Sequence, residues 1–126
     1  MNIFGIGIDT VSFIRIEKIF KKFKYKFAQR ILSINEFKEL IKKKNKIAFL
    51  SNRFAVKEAT VKAFGTGIRH GICFNQIELI HNELGKPEIN LLKLSLQLFI
   101  HNNLKSIHVS LSNEKLYTCA IVIIEK

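Results

Sequence analysis

The hydrophobic and polar positions of the chain change period several times, and each change predicts a secondary-structure element. Residues 2 to 9 are mostly apolar or glycine and end at Asp9, which predicts a strand with a carboxylate at its carboxyl end. The glycines of this strand indicate that another backbone or a ligand approaches it closely. Apolar residues then recur at helical spacing over residues 13 to 23, which predicts an amphipathic helix. Its apolar face carries Phe13, Ile16, Phe20 and Phe23.

Two further helices are predicted in the next part of the chain. Ser33 and Glu36 have the spacing of a capping box, so a short helix is expected to start there and to end in the lysine run at residues 42 to 44. The longest helical pattern covers residues 47 to 64 without glycine or proline, and it stops at Gly65. We expect this segment to form one long central helix.

The following residues predict two strands and another helix. Residues 73 to 82 and 87 to 90 are predicted strands on either side of a Gly85-Lys86-Pro87 turn. Apolar residues at helical spacing then predict a helix from residue 91 to 103.

The tail of the chain predicts a β-hairpin. Its first strand, residues 107 to 112, alternates apolar and polar side chains, whereas its second strand, residues 116 to 124, is apolar at nearly every position from Cys119 onward. This second pattern indicates burial on both faces, with a covering layer that could come from another subunit. Strands at both ends of the chain with helices between them predict the α+β class, with a mixed or antiparallel sheet packed against helices.

Length and composition agree with one domain, residues 1 to 126. A chain of 126 residues buries a real core but is small for two domains, and it contains no repeats or low-complexity linker. No apolar run approaches the roughly 18 to 20 residues of a membrane span, and no signal-peptide pattern precedes the first strand. A soluble, cytoplasmic protein without membrane contact is therefore expected. Cys73 and Cys119 lie far apart among apolar neighbours, so we expect buried free thiols.

The chain is strongly basic. Its formal net charge of +11 favours anionic partners such as nucleic acid, a membrane surface, an acidic protein or a phosphorylated substrate. Lysine greatly outnumbers arginine, as drift toward A/T-rich codons would also produce, so charge alone does not identify the partner. The basic residues of the first predicted helix form a stripe on one face, made of Arg15, Lys18 and Lys22.

The predicted central helix places Glu58 and Lys62 one turn apart, on the same face as Phe54. By spacing alone, such a pair is most often a solvent-exposed ion pair worth about 0.3 to 0.5 kcal/mol. The residues around Glu58 are small, however, which indicates close packing against another element and a need for a partner of the carboxylate. These small residues are Ala55, Ala59 and Ala63.

Asp9 is the only aspartate of the chain, and it has two interpretations. A strand-end aspartate often caps the next helix, a role that Thr10 or Ser12 could share. Alternatively, Asp9 and Glu58 together make the kind of oxygen site that Mg²⁺ accepts, with water and substrate phosphates in the remaining positions. The residues alone leave both interpretations open.

Two other motifs are unspecific by themselves. Gly85-Lys86-Pro87 is typical of a tight turn. His108 lies on the polar face of a predicted strand, where a histidine is more often a structural hydrogen-bonding residue than a substrate contact.

In their order along the chain, these motifs resemble the bacterial holo-acyl-carrier-protein synthases, small trimeric enzymes of the 4'-phosphopantetheinyl transferase superfamily. The resemblance covers essentially the whole chain and is most specific in the central helix and the Gly65-Thr-Gly67 that follows it. Ser12 and Asn113 depart from the family pattern, in which acidic residues are common at the first position and an acidic residue or histidine at the second. The motifs are Gly7-Ile-Asp9-Thr-Val-Ser-Phe-Ile-Arg15-Ile-Glu17, Arg53-Phe-Ala-Val-Lys57-Glu58-Ala-Thr-Val-Lys62-Ala-Phe-Gly65-Thr-Gly67, Gly85-Lys86-Pro87 and His108-Val-Ser110.

The resemblance implies an activity. In such enzymes the 4'-phosphopantetheine arm of coenzyme A passes to a serine of apo-acyl carrier protein, adenosine 3',5'-bisphosphate is released, and the product serves fatty acid biosynthesis. By this resemblance Asp9 and Glu58 are the ligands of Mg²⁺, with Mn²⁺ as an alternative, and Lys62 stabilises charge on the phosphates. Glu58 and Lys62 are then the catalytic residues, and the general base stays open. A homotrimer with active sites near the subunit interfaces is also implied.

The same resemblance implies two binding surfaces. The basic stripe of Arg15, Lys18 and Lys22 matches the face on which such enzymes dock the acidic helix of the carrier protein. The coenzyme A-binding residues that it implies are Arg53, Lys62, Gly65, Gly85, Lys86, Pro87 and His108.

Two alternative functions explain less of the sequence. A small basic nucleic-acid-binding module fits the charge and the interleaved lysine and phenylalanine of residues 20 to 27, but the chain shows no RNA-binding aromatic strand motif and no zinc-ligand spacing. A catalytically silent interaction domain needs the basic stripe but not Asp9, Glu58 and Lys62. We therefore expect an enzyme whose partners are coenzyme A and acyl carrier protein and do not include nucleic acid.

Overall fold

The computed structural model describes residues 2–68 and 71–126 and confirms the α+β class. Five helices lie between a first strand at one end of the chain and a strand hairpin at the other. A 3₁₀ turn at Phe74–Gln76 precedes the second strand. In chain order the elements are β1 (Ile3–Ser12), α1 (Phe13–Phe23), α2 (Tyr25–Ile31), α3 (Ile34–Lys42), α4 (Lys46–Phe64), β2 (Ile77–His81), β3 (Pro87–Leu91), α5 (Lys93–His101), β4 (Ser106–Asn113) and β5 (Tyr117–Glu125).

The strands form two antiparallel sheets. One sheet has three strands in the order β1-β5-β4, and the other is the β2-β3 hairpin. In the larger sheet Gly7 pairs with Val122 and Asp9 pairs with Ala120. Val122 and Ala120 are buried, so the face of β1 that carries Gly7 and Asp9 is the inner face, which meets α4.

The contact between β1 and α4 is a contact between backbones. A Cβ atom added at Gly7 would lie 1.7 Å from the carbonyl oxygen of Ala59, and one added at Gly5 would lie 1.8 Å from that of Ala63. Neither position has room for any side chain. The close approach predicted from the strand glycines and the helix alanines is therefore confirmed, and it brings Asp9 to the middle of α4.

The break between α1 and α2 has no glycine, proline or polar capping residue, and the sequence pattern did not predict α2. The turn is made by Lys24, whose φ of 53° is in the left-handed region and whose N–H donates to the carbonyl of Phe20. α2 then packs back so that Ala28 and Ile31 enter the core. Tertiary packing of this short segment compensates for the unfavourable conformation of Lys24.

One prediction about burial, that of the two thiols, is wrong. Within this chain one face of β5 is buried: Thr118 and Val122 are covered, whereas Ile121 lies on the outer face with 37% of its surface exposed, so the covering layer from another subunit stays a prediction. Cys73 is exposed and Cys119 half-buried, although both are free thiols as predicted. Cys119 and Ile121 are incompletely buried for the same reason, because both point to the outer face of the sheet, on which no element of the described residues packs.

The predicted boundaries differ modestly from the observed ones. The strand predicted from residue 73 begins at Ile77, because the 3₁₀ turn occupies the preceding residues. The first strand extends beyond Asp9 to Ser12, and α5 is shorter than its predicted helix at both ends. In the described part of the chain, no helix combines the length and the apolar character needed to cross a membrane.

Candidate active site

Asp9 and Lys62 lie together where β1 crosses α4. The ammonium group of Lys62 donates to Oδ1 of Asp9 at 3.2 Å and to the carbonyl oxygen of Ile8 at 2.9 Å. The side chain of Asp9 is 18% exposed and that of Lys62 is 52% exposed, so solvent and a ligand can reach both groups. Among the described ion pairs, Lys62 contacts Asp9 and does not form the exposed pair with Glu58 that its spacing suggested.

The alternative role of Asp9 as a helix cap is not observed. The cap of α1 is Ser12, whose hydroxyl oxygen accepts a hydrogen bond from the N–H of Arg15 at 3.4 Å. This leaves the carboxylate of Asp9 free to face α4. Ser12 therefore has a local role as the N-cap of α1.

Glu58 is half-buried on α4, one turn before Lys62. Burial raises the pKa of Glu58 above its ordinary value, and the negative charge of Asp9 raises it further. Lys62 and Arg15 act in the opposite direction. Two carboxylates that repel each other at the end of a buried contact are an arrangement that a cation would relieve.

The donors of this site fit a divalent cation such as Mg²⁺. Carboxylate oxygens are the ligands that Mg²⁺ prefers, and one or two of them are usual beside substrate phosphates. Within residues 2–68 and 71–126 no three His, Cys, Asp or Glu side chains converge, so water and phosphate oxygens would complete the coordination of an ion held by Asp9 and Glu58.

Arg15 begins the basic stripe beside this site. Its guanidinium lies over the ring of Phe54 on α4, 5.9 Å from the ring centre, and its charge partly opposes the rise in the pKa of Glu58. Lys18 and Lys22 continue the exposed stripe along α1. The stripe therefore leads from solvent to the cluster of Asp9, Glu58 and Lys62.

The residues expected to bind coenzyme A occupy several different places. Gly65 adjoins the cluster: it ends α4 with a φ of 79°, and its N–H donates to the carbonyls of Val61 and Lys62. Gly85-Lys86-Pro87 lies in the exposed β2-β3 turn, where the side-chain oxygen of Asn82 accepts from the N–H of Lys86 at 3.0 Å. The predicted turn is confirmed.

Arg53 and His108 lie apart from the cluster within one chain. Arg53 is buried and stacks on Phe49 at 3.6 Å from the ring centre, with Glu36 of α3 nearby, so it faces α3 and not β1. His108 is exposed on the outer face of β4, opposite the face of Asp9, and its Nε2 lies 2.6 Å from a carboxylate oxygen of Glu125. The structure thus brings Asp9, Glu58, Lys62 and Arg15 together and separates them from Arg53 and His108.

Next to this cluster lies a buried pair, Lys57 and Glu36, that the sequence pattern did not predict. Lys57 is fully buried beside Glu58, and its Nζ lies 2.7 Å from Oε1 of Glu36. A signal was available, because Lys57 lies in a stretch of α4 whose residues are mostly apolar or small. The partner was not evident, since Glu36 also completes the capping box of α3.

Comparisons with known proteins identify the family of the chain. The family model of the 4'-phosphopantetheinyl transferase superfamily matches residues 5–122. The chain is 55% identical to the holo-[acyl-carrier-protein] synthase of Buchnera aphidicola subsp. Schizaphis graminum (strain Sg) over 126 residues, which is the full length of both.

Solved structures extend the similarity to the fold. The holo-[acyl-carrier-protein] synthase of Neisseria meningitidis has a TM-score of 0.94 and 39% identity, covering 98% of this chain and 99% of its own. The Helicobacter pylori enzyme of the same name, in complex with coenzyme A, has a TM-score of 0.82 and 35% identity, covering 95% and 99%. The chain therefore belongs to the 4'-phosphopantetheinyl transferase superfamily and is an enzyme of that family.

Proposed function

We propose that this enzyme transfers 4'-phosphopantetheine from coenzyme A to a serine of apo-acyl carrier protein and so supplies fatty acid biosynthesis. The names of its relatives support the substrates. The observation that carries the proposal is the contact between Asp9 and Lys62 beside Glu58, which collects two carboxylates and one ammonium group at one accessible point. Such a set suits a pyrophosphate with a bound cation.

The reaction is a displacement at phosphorus. The serine oxygen forms a bond to the phosphorus that carries the pantetheine arm, and its proton passes to a general base, for which Glu58 and a water molecule are the candidates. The bond from that phosphorus to the bridging oxygen breaks, and adenosine 3',5'-bisphosphate leaves with the bond's electrons. Positioning and charge stabilisation supply most of the catalysis in such transfers, so the residues need to hold the phosphates and not to react with them.

Each residue of the cluster has a role in this scheme. Asp9 and Glu58 would hold Mg²⁺ or Mn²⁺, which when bound neutralises charge on the phosphate oxygens. Lys62 is about half-exposed, so its ammonium group can turn from Asp9 to a phosphate oxygen of the substrate and stabilise the leaving group. Gly65 lies within one turn of Lys62 and offers a backbone approach to the same phosphates.

The carrier protein is proposed to dock on the basic stripe of Arg15, Lys18 and Lys22. These side chains are exposed on α1, and Arg15 also reaches the face of α4 that carries Glu58. An acidic helix on this stripe would bring its serine to the cluster. The charges at the rim should mainly increase the association rate.

We propose that the working enzyme is a homotrimer of one-domain chains spanning residues 1–126. The support is the uncovered outer face of the larger sheet, which carries a row of exposed isoleucines. Single exposed apolar residues are common on protein surfaces, but a contiguous row of them indicates an interaction surface. A neighbouring subunit on this face would also allow His108 and the Gly85-Lys86-Pro87 turn of one chain to reach the Asp9, Glu58 and Lys62 cluster of another. Arg53 is buried and instead supports the contact between α3 and α4. The exposed row comprises Ile3, Ile6, Ile8 and Ile121.

The proposal is tested with purified protein, apo-acyl carrier protein and coenzyme A. Mass spectrometry should show the carrier gaining the phosphopantetheine mass in the presence of Mg²⁺ or Mn²⁺, and excess chelator should abolish the gain. Absence of transfer under all conditions would reject the activity. Undiminished transfer in chelator would reject the metal-dependent form.

A further inference from the structure

The guanidinium of Arg15 rests on an aromatic ring that belongs to a different helix. Arg15 is exposed on α1, and its Cζ lies 5.9 Å from the ring centre of Phe54 on α4. A guanidinium within about 6 Å of a ring centre is attracted to the negative face of the ring. Within residues 2–68 and 71–126 the guanidinium forms no ion pair, so the ring of Phe54 is the contact that orients it.

The ring of Phe54 is itself held in place. Phe54 is 8% exposed, and its ring centre lies 6.1 Å from that of Phe27 on α2. On α4 it also meets the ring of Phe74 at an angle of 71°, with the two centres 5.7 Å apart. A close-packed aromatic side chain between two others has little freedom to turn. Phe54 therefore offers a fixed surface to the long and flexible side chain of Arg15.

This contact places Arg15 relative to the proposed reaction site. Phe54 and Glu58 are four residues apart on α4, which is about 6 Å along the helix axis and on one face. Arg15 is thereby held one helical turn from Glu58, at the inner end of the basic stripe. Lys22, farther along the stripe, lies over the ring of Phe23, its exposed neighbour in the chain, and this contact does not attach it to α4.

The residue type at position 15 suits such a contact. Lysine greatly outnumbers arginine in this chain, yet this position of the stripe carries arginine. A planar guanidinium can stack on a ring and still direct N–H groups at a carboxylate, whereas the ammonium group of lysine is a compact, strongly hydrated charge. Arg53 over Phe49, also on α4, is a second pair of this kind, with 3.6 Å between the guanidinium and the ring centre.

We propose that Phe54 is a positioning residue for carrier-protein docking: its ring orients Arg15 in the free enzyme, so that an acidic group of the docking helix meets a guanidinium already placed one turn from Glu58. The proposal rests on the proposed function, because it assumes that the carrier docks on the basic stripe. Phe54 acts through Arg15. Without the ring, the side chain of Arg15 would lose its rotational freedom only on docking, and this entropy loss would weaken binding.

The test removes the ring and keeps an apolar side chain. Phe54→Leu and Phe54→Met both do so, and either one suffices if it folds. We expect the KM for apo-acyl carrier protein to rise about two- to fivefold, with the KM for coenzyme A unchanged. Phe54→Tyr keeps the ring face and should keep the unaltered KM. The matched control is Phe49→Leu, which removes the ring under Arg53 and should lower the melting temperature without changing the KM for the carrier.

A double-mutant cycle separates positioning from a general loss of stability. If Phe54 acts through Arg15, then Phe54→Leu should cause no further rise in the KM for the carrier when Arg15→Ala is already present. A merely structural role would raise the KM by the same factor in both backgrounds. NMR of the free enzyme gives a second measurement, because the ring should shift the Nε–H resonance of Arg15, which is assigned by its loss in Arg15→Ala. Phe54→Leu should return this resonance to the position of a solvent-exposed arginine.

The inference is overturned by an unchanged KM for the carrier in the variants without a ring, or by an equal rise in both backgrounds. An Arg15 resonance at the position of a solvent-exposed arginine in the unaltered enzyme also overturns it, and this result requires no variant of Phe54. If the unaltered enzyme transfers no phosphopantetheine, the proposed function fails and this inference fails with it. Normal transfer with an unchanged KM in Phe54→Leu and Phe54→Met rejects the inference alone.

Discussion

Lys62 and Asp9 are 53 residues apart in the chain, and Nζ of one lies 3.2 Å from Oδ1 of the other. The contact exists because Gly7 lets β1 touch the backbone of α4 at Ala59. A side chain at Gly7 would separate the two elements and with them the ammonium group from the carboxylate. The site therefore depends on Gly5 and Gly7, which take no part in its chemistry.

Asp9→Asn should weaken metal binding at the site much more than it lowers the stability of the fold. A change of a group that merely orients a ligand typically costs about 10- to 100-fold in metal affinity, so loss of a proposed ligand should raise the Mg²⁺ concentration for half-maximal transfer at least that much. The control is Glu17→Gln, which removes an exposed carboxylate paired with Lys21 on α1. An unchanged Mg²⁺ dependence in Asp9→Asn would show that Asp9 is not a ligand.

Gly7→Ala should destabilise the protein by about 3 kcal/mol or prevent folding, because its Cβ would lie 1.7 Å from the carbonyl oxygen of Ala59. Urea unfolding measures the change. Gly85→Ala is the control: its Cβ meets no atom within 4 Å, and only its φ of 82° is unfavourable, so a loss of about 1 kcal/mol is expected. A smaller effect at Gly7 than at Gly85 would contradict the backbone contact.

Ser51→Ala should leave the free energy of unfolding unchanged or raise it by up to about 1 kcal/mol. Ser51 is buried in α4, and its hydroxyl has no hydrogen-bond partner among the described residues, so its removal relieves a desolvated polar group. Thr60→Ala is the matched comparison on the same helix. Its hydroxyl donates to the carbonyl of Val56 at 2.7 Å, so a loss of about 1 to 2 kcal/mol is expected, and the opposite order of the two variants would refute the argument.

Arg15→Ala should raise the KM for the carrier protein and reduce the salt dependence of its association, with the dissociation constant for coenzyme A nearly unchanged. Steady-state kinetics at two ionic strengths and coenzyme A titration measure these quantities. Lys21→Ala is the control, because Lys21 pairs with Glu17 and lies outside the basic stripe. An equal loss of carrier use and coenzyme A binding would reject the docking role of Arg15.

Glu78→Gln should make the stability of the fold less sensitive to a fall in pH in the acidic range. Burial acts to raise the pKa of Glu78, but hydrogen bonds from Ser33, Asn90 and Asn35 outweigh burial and hold the pKa below 4.5. A carboxyl with a depressed folded pKa stabilises the fold above pH 4.5, and this contribution is lost as pH falls through the folded value.

Melting temperatures measured between pH 6 and pH 3 should therefore fall less in Glu78→Gln than in the unaltered protein. Glu83→Gln, on the exposed turn of the same hairpin, should fall like the unaltered protein. Parallel profiles for all three proteins would show that the hydrogen bonds to Glu78 do not depress its pKa.

Local patterns in the sequence determined most of the elements. The helix from Lys46 to Phe64 followed from an uninterrupted period closed by Gly65, and the capping box at Ser33 followed from the spacing to Glu36. The glycines of β1 and the alanines of α4 each predicted close packing against another element, and the tertiary structure decided that these two elements meet each other. The elements themselves depend on neighbours in the chain.

The tertiary structure alone decided which partner each polar side chain takes. Lys62 contacts Asp9 in place of Glu58, and Arg53 stacks inside the core. Lys57 donates its three hydrogen bonds to residues 17 to 21 positions away in the chain. It also decided that one face of β5 stays uncovered within this chain. The physical reason is that burial and ion pairing depend on distances across the fold, which residue type and period along the chain do not specify.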